Sequence, residues 1–516
     1  MTSTASAKPT FRDVWTATVR EHTARTFLVF RPDDRPAVAW TYGEFDVLVG
    51  RVAGFLADSG VRAGATVHIA LRNSPAFVAA WLATARLGAW MVPVDPASTA
   101  RDIARQVRRV EPAVGLCATS RADVYREGAA DQVGRIVELA EDETDLNPGS
   151  PLVSGPPVAS EPCPVAPSDR LAVMFTSGTT SEPKGVVLTQ ACYAQVAATM
   201  ASVVGLEPRH RWYVTLPLFH ANAQYYCFAP AIAVGASVAL TASFSASRWI
   251  ALARELDVTH GSLFAAPIRM ILARCPGDER PVQLEHVWFA QNLGRQHYDQ
   301  FSQLVGTSPR QLYGMTETVA IVTADQNGRP VNDVIGRPVA GRRIRIEDQA
   351  TGGTAETGNP GHLLVHGTPG VDLFAGYLDD EATTRSVFRP DGDGAWFATG
   401  DLVSSDEHGD LRFVGRADDV IKVAGENVSL TEVEAAIGQA PGVFEAAVIA
   451  QDDPVYDHVP VAYVVPKDPA LPPDPDELEA WAKEHLVPAA RPRAWHLIDE
   501  LPRTSVGKVR RFQVGR

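Results

Sequence analysis

The sequence predicts an α/β fold: a large N-terminal domain of doubly wound sheets with a barrel-like subdomain, and a small α+β C-terminal domain. Helical and strand patterns alternate up to about residue 290, and short strands with glycine-rich turns follow from about residue 332. A compact helix and strand pattern comes after Arg416. Alternating helices and strands are typical of parallel sheets that bind ligands at the carboxyl ends of their strands. The 516 residues also exceed what one hydrophobic core usually serves.

Capping residues and periodicity place the first elements. Thr41, with Glu44 three residues later, predicts a capping box, and apolar residues then recur at helical spacing through residues 41–61. A second helix is predicted over 75–88. Strands are predicted over 65–71, 89–94, 212–218, 236–240 and 286–290. The stretch 147–169 holds seven prolines, so we expect a surface connection there rather than a helix or strand.

The last third of the chain has a different sequence pattern. The strings GRRIRIED, GHLLVHG and DLRFVGR predict short strands of an antiparallel or barrel-like subdomain. Beyond Arg416, Ser429 and Glu432 predict a second capping box, and Asp474 with Pro475 begins the last helix. Two further strands are predicted over 445–451 and 459–466. The predicted units are an N-terminal domain at 1–415, a hinge at 416–418 and a C-terminal domain at 419–516.

The composition excludes several classes of protein. The net charge of -14 argues against a nucleic-acid binder held by phosphate contacts. The most apolar stretch, residues 77–94, contains Arg86, glycine and proline, so no membrane span is expected. The N-terminus lacks the pattern of a signal peptide. The five cysteines are odd in number and in no metal-ligand spacing, which predicts reduced thiols and a cytoplasmic protein.

The stretch FTSGTTSEPKGVV, residues 175–187, follows an apolar strand pattern and is rich in hydroxyl residues. Hydroxyl and backbone N–H groups in such a loop can surround a polyanion. A Walker A loop needs a glycine before its lysine and a Ser or Thr after it, and Lys184 has neither. A flexible surface linker fits poorly between two strand patterns. Only six of the 47 basic residues are lysines, and three lie in the motifs discussed here: Lys184, Lys422 and Lys508.

Six motifs occur in order along the chain: FTSGTTSEPKGVVLT, LPLFHANAQ, YGMTET, TGD, GRADDVIKVAGENVS and PRTSVGK. Together they resemble the acyl-adenylate-forming superfamily of acyl-CoA synthetases, non-ribosomal adenylation domains and luciferases. The resemblance covers nearly the whole chain. Within the superfamily, MFTSGTTSEPKGVV and WFAQNLGRQHYDQF look most like carnitine/crotonobetaine-type CoA ligases.

The resemblance implies a site for ATP and Mg²⁺. Six residues of one loop would hold the β- and γ-phosphates: Thr176, Ser177, Gly178, Thr179, Thr180 and Lys184. Glu317 would hold Mg²⁺, a hard cation suited by one carboxylate and phosphate oxygens, while Thr316 would donate to the α-phosphate. Four more residues would hold the nucleoside, with the aromatic ring near the adenine and the carboxylate on the ribose: Tyr313, Gly314, Asp401 and Arg416. Taken singly, these are ordinary turn or packing residues.

The resemblance implies that Lys508 is the main catalytic residue. It would bridge the carboxylate and the α-phosphate during adenylation, because both partners of that step are anions. A thiol must then reach the acyl carbonyl, so the small C-terminal domain is expected to be mobile and to rotate at Asp418. Gly425 would then line the thiol channel, and Lys422 would act in that second conformation. A basic terminal tail is the alternative for Lys508 when it is considered alone.

The acyl pocket is expected around His220, which resembles a gate between acid and thiol; a buried core histidine is the alternative. The candidate lining residues are Asn222, Ala223, Gln224, Tyr225, Trp288, Ala290, Asn292 and Leu293. Asn and Gln among aromatic residues favour a small, polar or aromatic acid over a long acyl chain, which would need an apolar tunnel.

Two positions depart from the superfamily's pattern. Ser181 stands where the phosphate loop often has a second glycine, and Ala424 stands where a second glycine usually precedes the string EN. The second departure, Ala424, lies near the expected path of the thiol. It therefore makes coenzyme A as the acyl acceptor a weaker prediction than adenylation. The first hypothesis is an acyl-CoA synthetase that uses ATP, Mg²⁺ and coenzyme A. The second is a stand-alone adenylating enzyme that serves a carrier protein, an amine or another nucleophile. The third is a non-catalytic nucleotide-binding protein.

Overall fold

The computed structural model describes residues 8–176, 183–277, 279–423, 426–503 and 509–515. Several predicted site residues lie outside these ranges: Ser177, Gly178, Thr179, Thr180, Gly425 and Lys508. The two departures from the superfamily's pattern, Ser181 and Ala424, also lie outside them.

The helices of the described ranges are α1 (Phe11–His22), α2 (Tyr42–Asp58), α3 (Pro75–Arg86), α4 (Ala100–Val110), α5 (Ala122–Ala129), α6 (Gln190–Val204), α7 (Ala229–Val234), α8 (Trp249–Glu255), α9 (Ala265–Arg274), α10 (Arg295–Val305), α11 (Glu381–Val387), α12 (Leu430–Ile437) and α13 (Pro475–His485). A π-helix, Asn222–Phe228, directly precedes α7. No helix in the described part of the chain is long and apolar enough to cross a membrane.

The strands up to residue 324 are β1 (Thr26–Arg31), β2 (Val38–Thr41), β3 (Thr66–Ala70), β4 (Trp90–Pro93), β5 (Val114–Ala118), β6 (Arg135–Leu139), β7 (Arg170–Thr176), β8 (Lys184–Thr189), β9 (Arg211–Val214), β10 (Ser237–Thr241), β11 (His260–Phe264), β12 (His286–Ala290), β13 (Arg310–Tyr313) and β14 (Thr323–Ala324). The later strands are β15 (Arg337–Pro338), β16 (Arg343–Glu347), β17 (Gly361–Gly367), β18 (Gly376–Tyr377), β19 (Phe388–Asp391), β20 (Gly394–Ser405), β21 (Leu411–Arg416), β22 (Val420–Val423), β23 (Glu426–Ser429), β24 (Val443–Asp453), β25 (Asp457–Pro466) and β26 (Ala494–Leu497).

Two large sheets form the N-terminal part of the molecule. One has nine strands in the order β15-β14-β13-β12-β11-β9-β10-β1-β2, and the other has seven in the order β18-β8-β7-β4-β3-β5-β6. Most of their inner strands pair in parallel, as between β11 and β12 and between β3 and β4, whereas β7 with β8 and β13 with β14 pair antiparallel. This arrangement confirms the predicted α/β fold with doubly wound sheets.

Helices cover both faces of each large sheet. Between the sheets, α1, α2, α3, α6 and α7 bury an aromatic core in which Phe11 stacks on Trp81 at 5.4 Å. On the far face of the nine-stranded sheet, α8, α9 and α10 pack a second cluster that includes Trp249, Ile268 and Phe301. On the far face of the seven-stranded sheet, α4 and α5 pack a third cluster. The carboxyl ends of the parallel strands are left for loops, which carry the site.

Most of the predicted N-terminal elements are present, with two corrections. The capping box of α2 forms with both of its hydrogen bonds. The strand predicted over 212–218 ends at Val214, because the chain beyond it bonds to a side chain instead of a neighbouring strand: Asn73 donates to the Leu216 carbonyl oxygen and accepts from the Leu218 N–H. The connection at 147–169 is not only a surface segment. It contains a 3₁₀ turn, Pro151–Val153, in which Leu152 and Val153 are buried where that turn packs on α2.

Two antiparallel sheets follow. Strands β16-β17-β20-β19 form one, with β21 also paired to β20, as the short-strand pattern predicted. The other consists of β23-β22-β25-β24 with β26 on β25, and it packs α12 and α13 into a separate core containing Val433, Val464 and Leu478. Asp474 caps α13 as expected. In the last turn of this helix, His485 is exposed and stacks on Trp481 at 3.8 Å. The domain limits at 415–419 remain a prediction.

Candidate functional site

A buried carboxylate, Asp401, is the centre of the first cluster. It follows Gly400, whose φ is 75°, and lies opposite Arg416 in the β20–β21 ladder. Arg416 Nη1 donates to Asp401 Oδ1 at 2.8 Å, and the Tyr313 hydroxyl donates to Oδ2 at 2.5 Å. Burial, together with the charge of Asp401, holds the pKa of Tyr313 well above its usual range, so its hydroxyl remains a donor. The cluster presents a charge-balanced carboxylate that can accept further hydrogen bonds from hydroxyl groups.

Glu317 is the centre of the second cluster. It lies in a 3₁₀ turn, Thr316–Thr318, which follows β13, and it is 6% exposed. Glu317 Oε1 accepts a hydrogen bond from the Tyr377 hydroxyl at 3.1 Å, and the ammonium of Lys184 lies 5.1 Å from the centre of the Tyr377 ring. Burial and the charge of Glu317 raise the pKa of Tyr377. A carboxylate and an ammonium therefore meet at one aromatic side chain.

The two clusters form one site because Tyr313 and Glu317 belong to the same strand and turn. Gly314 lies between them, and a Cβ added there would lie 2.8 Å from the Tyr226 hydroxyl and 3.2 Å from a backbone atom of Ile321. Only glycine fits this approach without a shift of the neighbours. The segment between the two clusters is therefore held closely against the core.

Thr176 and Lys184 bracket the predicted phosphate loop. They face each other as the last register pair of β7 and β8, and the Thr176 hydroxyl lies 3.5 Å from the Lys184 carbonyl oxygen. The hydroxyl residues between them lie outside the described ranges. Lys184, at the end of that loop, therefore lies beside Tyr377, whose hydroxyl donates to Glu317.

A group of buried polar side chains lies beside the π-helix. Asn222 Nδ2 donates to the Ser262 hydroxyl at 3.0 Å, and Ser262 lies directly opposite Trp288 in the β11–β12 pair. Among the described residues, Asn222 Oδ1, the Tyr225 hydroxyl and Trp288 Nε1 lack a hydrogen-bond partner. Ala290 follows on the same face of β12 and is half-buried. Each buried polar atom without a partner costs about 1–3 kcal/mol.

Some of the predicted pocket residues lie elsewhere. Gln224 is fully engaged in the core, since it accepts from the Tyr193 hydroxyl at 2.6 Å and donates to a carbonyl at 2.7 Å, and Ala223 before it is fully buried. Leu293 belongs to the hydrophobic cluster on the far face of the sheet, away from Trp288, and Asn292 is exposed. The structure therefore does not bring Asn292 and Leu293 to the polar group around Asn222.

The gate and hinge candidates are accessible. His220 is half-buried, with its ring 4.7 Å from that of Phe219, an exposure unlike that of a core histidine. Asp418 is exposed in the 3₁₀ turn that joins β21 to β22, and Lys422 is exposed on β22. These positions are compatible with a gate and a hinge, and their roles remain predictions.

Two residues of the site were missed from the sequence. Tyr377 lies on a strand of two residues, which is too short to show a periodic pattern, and its partner Glu317 is 60 residues away. Ser262 lies on β11, which was not predicted because Gly261 and Ser262 interrupt its apolar run. A search for short apolar runs between predicted helices could have found β11. No sequence signal marks the role of Tyr377.

Two family models match the chain. The model for AMP-binding enzymes matches residues 15–378, and the model for the C-terminal domain of AMP-binding enzymes matches residues 432–508.

Curated relatives cover nearly the whole chain at low identity. A crotonobetaine/carnitine–CoA ligase of Proteus mirabilis is 27% identical over 508 residues, which cover 96% of this chain and 97% of the relative. A 2-succinylbenzoate–CoA ligase of Bacillus licheniformis is 30% identical over 470 residues, which cover 90% and 92%.

Solved structures share the fold. The anthranilate CoA ligase AuaEII in complex with anthranoyl-AMP superposes with a TM-score of 0.87 at 23% identity, covering 99% of this chain and 97% of that one. ATP-bound MatB from Rhodopseudomonas palustris superposes with a TM-score of 0.86 at 23% identity, covering 97% of both chains.

Proposed function

Because the chain belongs to the family of AMP-binding enzymes, we propose that it activates a carboxylic acid with ATP and passes the acyl group to coenzyme A. The products are acyl-CoA, AMP and pyrophosphate. The observation that carries this proposal is the placement of two buried carboxylates, Asp401 and Glu317, at one short segment of strand and turn. One carboxylate is balanced by Arg416 and the other lies near Lys184, as a site for a polyanionic nucleotide requires.

The nucleotide is proposed to lie along the segment from Tyr313 to Glu317. Asp401 accepts from the ribose hydroxyls, and Arg416, which donates to Asp401, assists there or at the phosphates. Thr316 donates to the α-phosphate. The adenine lies near Tyr313, whose ring stacks on Phe413 at a centroid distance of 6.3 Å.

Mg²⁺ and the phosphate loop complete the proposed site. Glu317 supplies the one carboxylate that a magnesium ion bound to phosphate oxygens needs, and its hydrogen bond from Tyr377 fixes its orientation. The ion neutralises charge on the phosphates when bound. Thr176 and Lys184 hold the two ends of the loop that receives the β- and γ-phosphates, together with the loop residues Ser177, Gly178, Thr179 and Thr180.

The two half-reactions need two arrangements of the C-terminal region. Lys508 is proposed to bridge the acid's carboxylate and the α-phosphate, which places the negative charges of both reactants against one ammonium. A rotation at Asp418 then brings Lys422 and Gly425 to the channel through which the thiol attacks, with His220 as the gate.

The acid is proposed to be small and to carry an uncharged polar group. Three residues proposed to line the pocket carry buried polar atoms that have no partner among the described residues: the carbonyl oxygen of Asn222, the hydroxyl of Tyr225 and the indole N–H of Trp288. A long alkyl chain would leave all three unsatisfied. The names of the relatives do not decide between acids, because ligases for crotonobetaine or carnitine and for 2-succinylbenzoate match at similar identity.

The test is a screen of carboxylic acids by acid-dependent ATP–pyrophosphate exchange, followed by detection of acyl-CoA by mass spectrometry. We expect exchange with small hydroxylated, aminated or aromatic acids and CoA-dependent release of AMP. Pyrophosphate exchange without CoA-dependent release of AMP would indicate that a carrier protein or another nucleophile, rather than coenzyme A, accepts the acyl group. Absence of exchange with every acid, while ATP still binds, would refute the proposed activity.

The five free thiols support the cytoplasm as the proposed location.

A further inference from the structure

Arg342, which directly precedes β16, holds the backbone next to Glu317. Its guanidinium donates four hydrogen bonds to backbone carbonyl oxygens: from Nη2 to Thr318 at 2.5 Å and to Ala320 at 3.3 Å, from Nε to Ile321 at 3.3 Å, and from Nη1 to Asp372 at 2.7 Å. The residue is half-buried, and burial lowers the pKa of its guanidinium. Because a guanidinium presents its N–H groups in a fixed planar fork, this one side chain fixes several acceptors relative to one another.

The backbone that accepts three of these bonds is irregular. Val319 has φ 63° and ψ -75°, a conformation that a β-branched residue rarely adopts. Such a conformation persists only where the surrounding contacts enforce it. Within the turn, the Thr318 N–H donates to the Met315 carbonyl oxygen at 3.1 Å, and the Thr318 hydroxyl donates to the Ala320 carbonyl oxygen at 3.1 Å. Arg342 bonds to the carbonyls on both sides of Val319, so it stabilises this conformation from outside the turn.

The fourth bond links the turn to the segment that carries Tyr377. The Asp372 carbonyl oxygen accepts this bond from Arg342. Two residues along, the Phe374 N–H donates to the backbone carbonyl oxygen of Glu317 at 2.9 Å. The Tyr377 hydroxyl then donates to the Glu317 carboxylate at 3.1 Å. One segment therefore holds Glu317 through both its backbone and its side chain, and Arg342 fixes that segment against the turn.

We propose that Arg342 is a positioning residue: it sets the place of the Glu317 carboxylate by holding the turn that carries it against residues 372–377. This inference rests on the proposed function, in which that carboxylate holds Mg²⁺. The bonds to the two segments come from three nitrogen atoms of one guanidinium. A lysine at this position would keep the charge but donate from a single nitrogen, so it cannot reproduce the fork.

The first test measures the turn without any ligand. Hydrogen–deuterium exchange followed by mass spectrometry reports on the amide groups of residues 315–322 and 372–377. We expect Arg342→Lys to speed exchange in both segments about 10-fold or more, the range for loss of a hydrogen bond to a charged group. Exchange in both segments within twofold of wild type would overturn the proposal. If Arg342→Lys does not fold, Arg342→Gln, which keeps a donor on a side chain of intermediate length, takes its place.

Arg211→Lys is the matched control for this experiment. Arg211 begins β9 and is half-buried, as Arg342 is. It donates from Nη1 to the Leu256 carbonyl oxygen at 2.7 Å and from Nε to the Ser237 hydroxyl at 3.0 Å. We expect the control to speed exchange around these partners and to leave the two segments of the first test unchanged. An equal rise in those segments from both variants would assign the effect to a general loosening of the fold and overturn the proposal.

The second test measures what Mg²⁺ adds to nucleotide binding. Isothermal titration gives the Kd for ATP with Mg²⁺ and with EDTA, and the ratio of the two values is the gain in affinity from the ion. We expect Arg342→Lys to lower this gain about 10-fold and to change the Kd in EDTA less than threefold, while Arg211→Lys changes neither. A gain equal to that of wild type, where Glu317→Gln lowers it, would overturn the proposal.

The Glu317→Gln variant separates this inference from the proposed function. If it leaves the gain from Mg²⁺ unchanged, Glu317 does not hold the ion and the proposed function loses its metal site. The exchange experiment still decides whether Arg342 holds the turn, because it uses neither ATP nor Mg²⁺.

Discussion

Substitution of Asp401 by asparagine tests the nucleotide site most directly. The change keeps the shape of the side chain and removes its charge, so the ribose hydroxyls lose an ionised acceptor. Hydrogen bonds to a charged group contribute about 1.5–3 kcal/mol each, roughly twice the value for neutral partners. If both ribose hydroxyls donate to residue 401, removing its charge weakens the two bonds by about half, or about 1.5–3 kcal/mol together. Since 1.36 kcal/mol corresponds to a factor of ten, the Kd for ATP should rise about 10- to 150-fold.

The same substitution should change stability much less. The side chain of Arg416 is 39% exposed, so solvent screens its ion pair with Asp401 and the pair adds at most about 1 kcal/mol. Isothermal titration with ATP and Mg²⁺ measures the affinity, and circular dichroism checks the fold. Asp391→Asn is the matched control, because this exposed carboxylate on β19 accepts from the Trp396 indole in the neighbouring strand. ATP binding by Asp401→Asn within twofold of wild type would refute the ribose assignment.

Three further predictions follow from other contacts. Tyr377→Phe removes the hydrogen bond to Glu317 and should raise the Mg²⁺ concentration needed for half-maximal pyrophosphate exchange about 10-fold; an unchanged requirement would contradict the metal role. Burial lowers the pKa of His68 to about 4, below its usual 6.5, so the unfolded chain binds the proton first and stability is lost as pH falls from about 6.5 towards 4, by about 2 kcal/mol at pH 5. The melting temperature of wild type should therefore fall more between pH 7 and 5 than that of His68→Gln, and equal falls would count against it. Gly54→Ala places a Cβ 1.9 Å from a carbonyl oxygen of the proline-rich connection and should cost at least about 1–3 kcal/mol by thermal unfolding, whereas Gly277→Ala meets no atom within 4 Å and should be neutral.

The elements that sequence could predict are those whose signals are local. The capping box of α2 and the N-cap of α13 depend on residues two or three positions apart, and both form as expected. The apolar run of β12 predicts its ends correctly, because it has no residue that interrupts pairing. The failures have different causes: Gly261 with Ser262 conceals β11 locally, whereas β9 ends early because Leu216 and Leu218 bond to Asn73, which is distant in sequence.

The contacts that build the site could not be predicted residue by residue without the resemblance. Asp401 meets Tyr313 across 88 residues, and Tyr377 meets Glu317 across 60 residues. Such pairs carry no periodic signal, because their proximity depends on how whole sheets pack. Leu293 shows the same limit: it lies beyond the end of β12 and packs with the helices of the far face, and its predicted role in the pocket remains a prediction.

The segment from Tyr313 to Glu317 has a consequence for how such an enzyme can change. It acts as a ruler of fixed length, because Tyr313 at one end contacts the carboxylate proposed to bind the ribose, Glu317 at the other end carries the carboxylate proposed to bind Mg²⁺, and Gly314 is held between them against Ile321. The proposed acid pocket lies on separate elements, the π-helix with β11 and β12. Substitutions in the pocket can therefore change which acid is accepted without changing the spacing between the ribose and phosphate positions. One residue inserted between Tyr313 and Glu317 would instead change that spacing, whichever acid is bound.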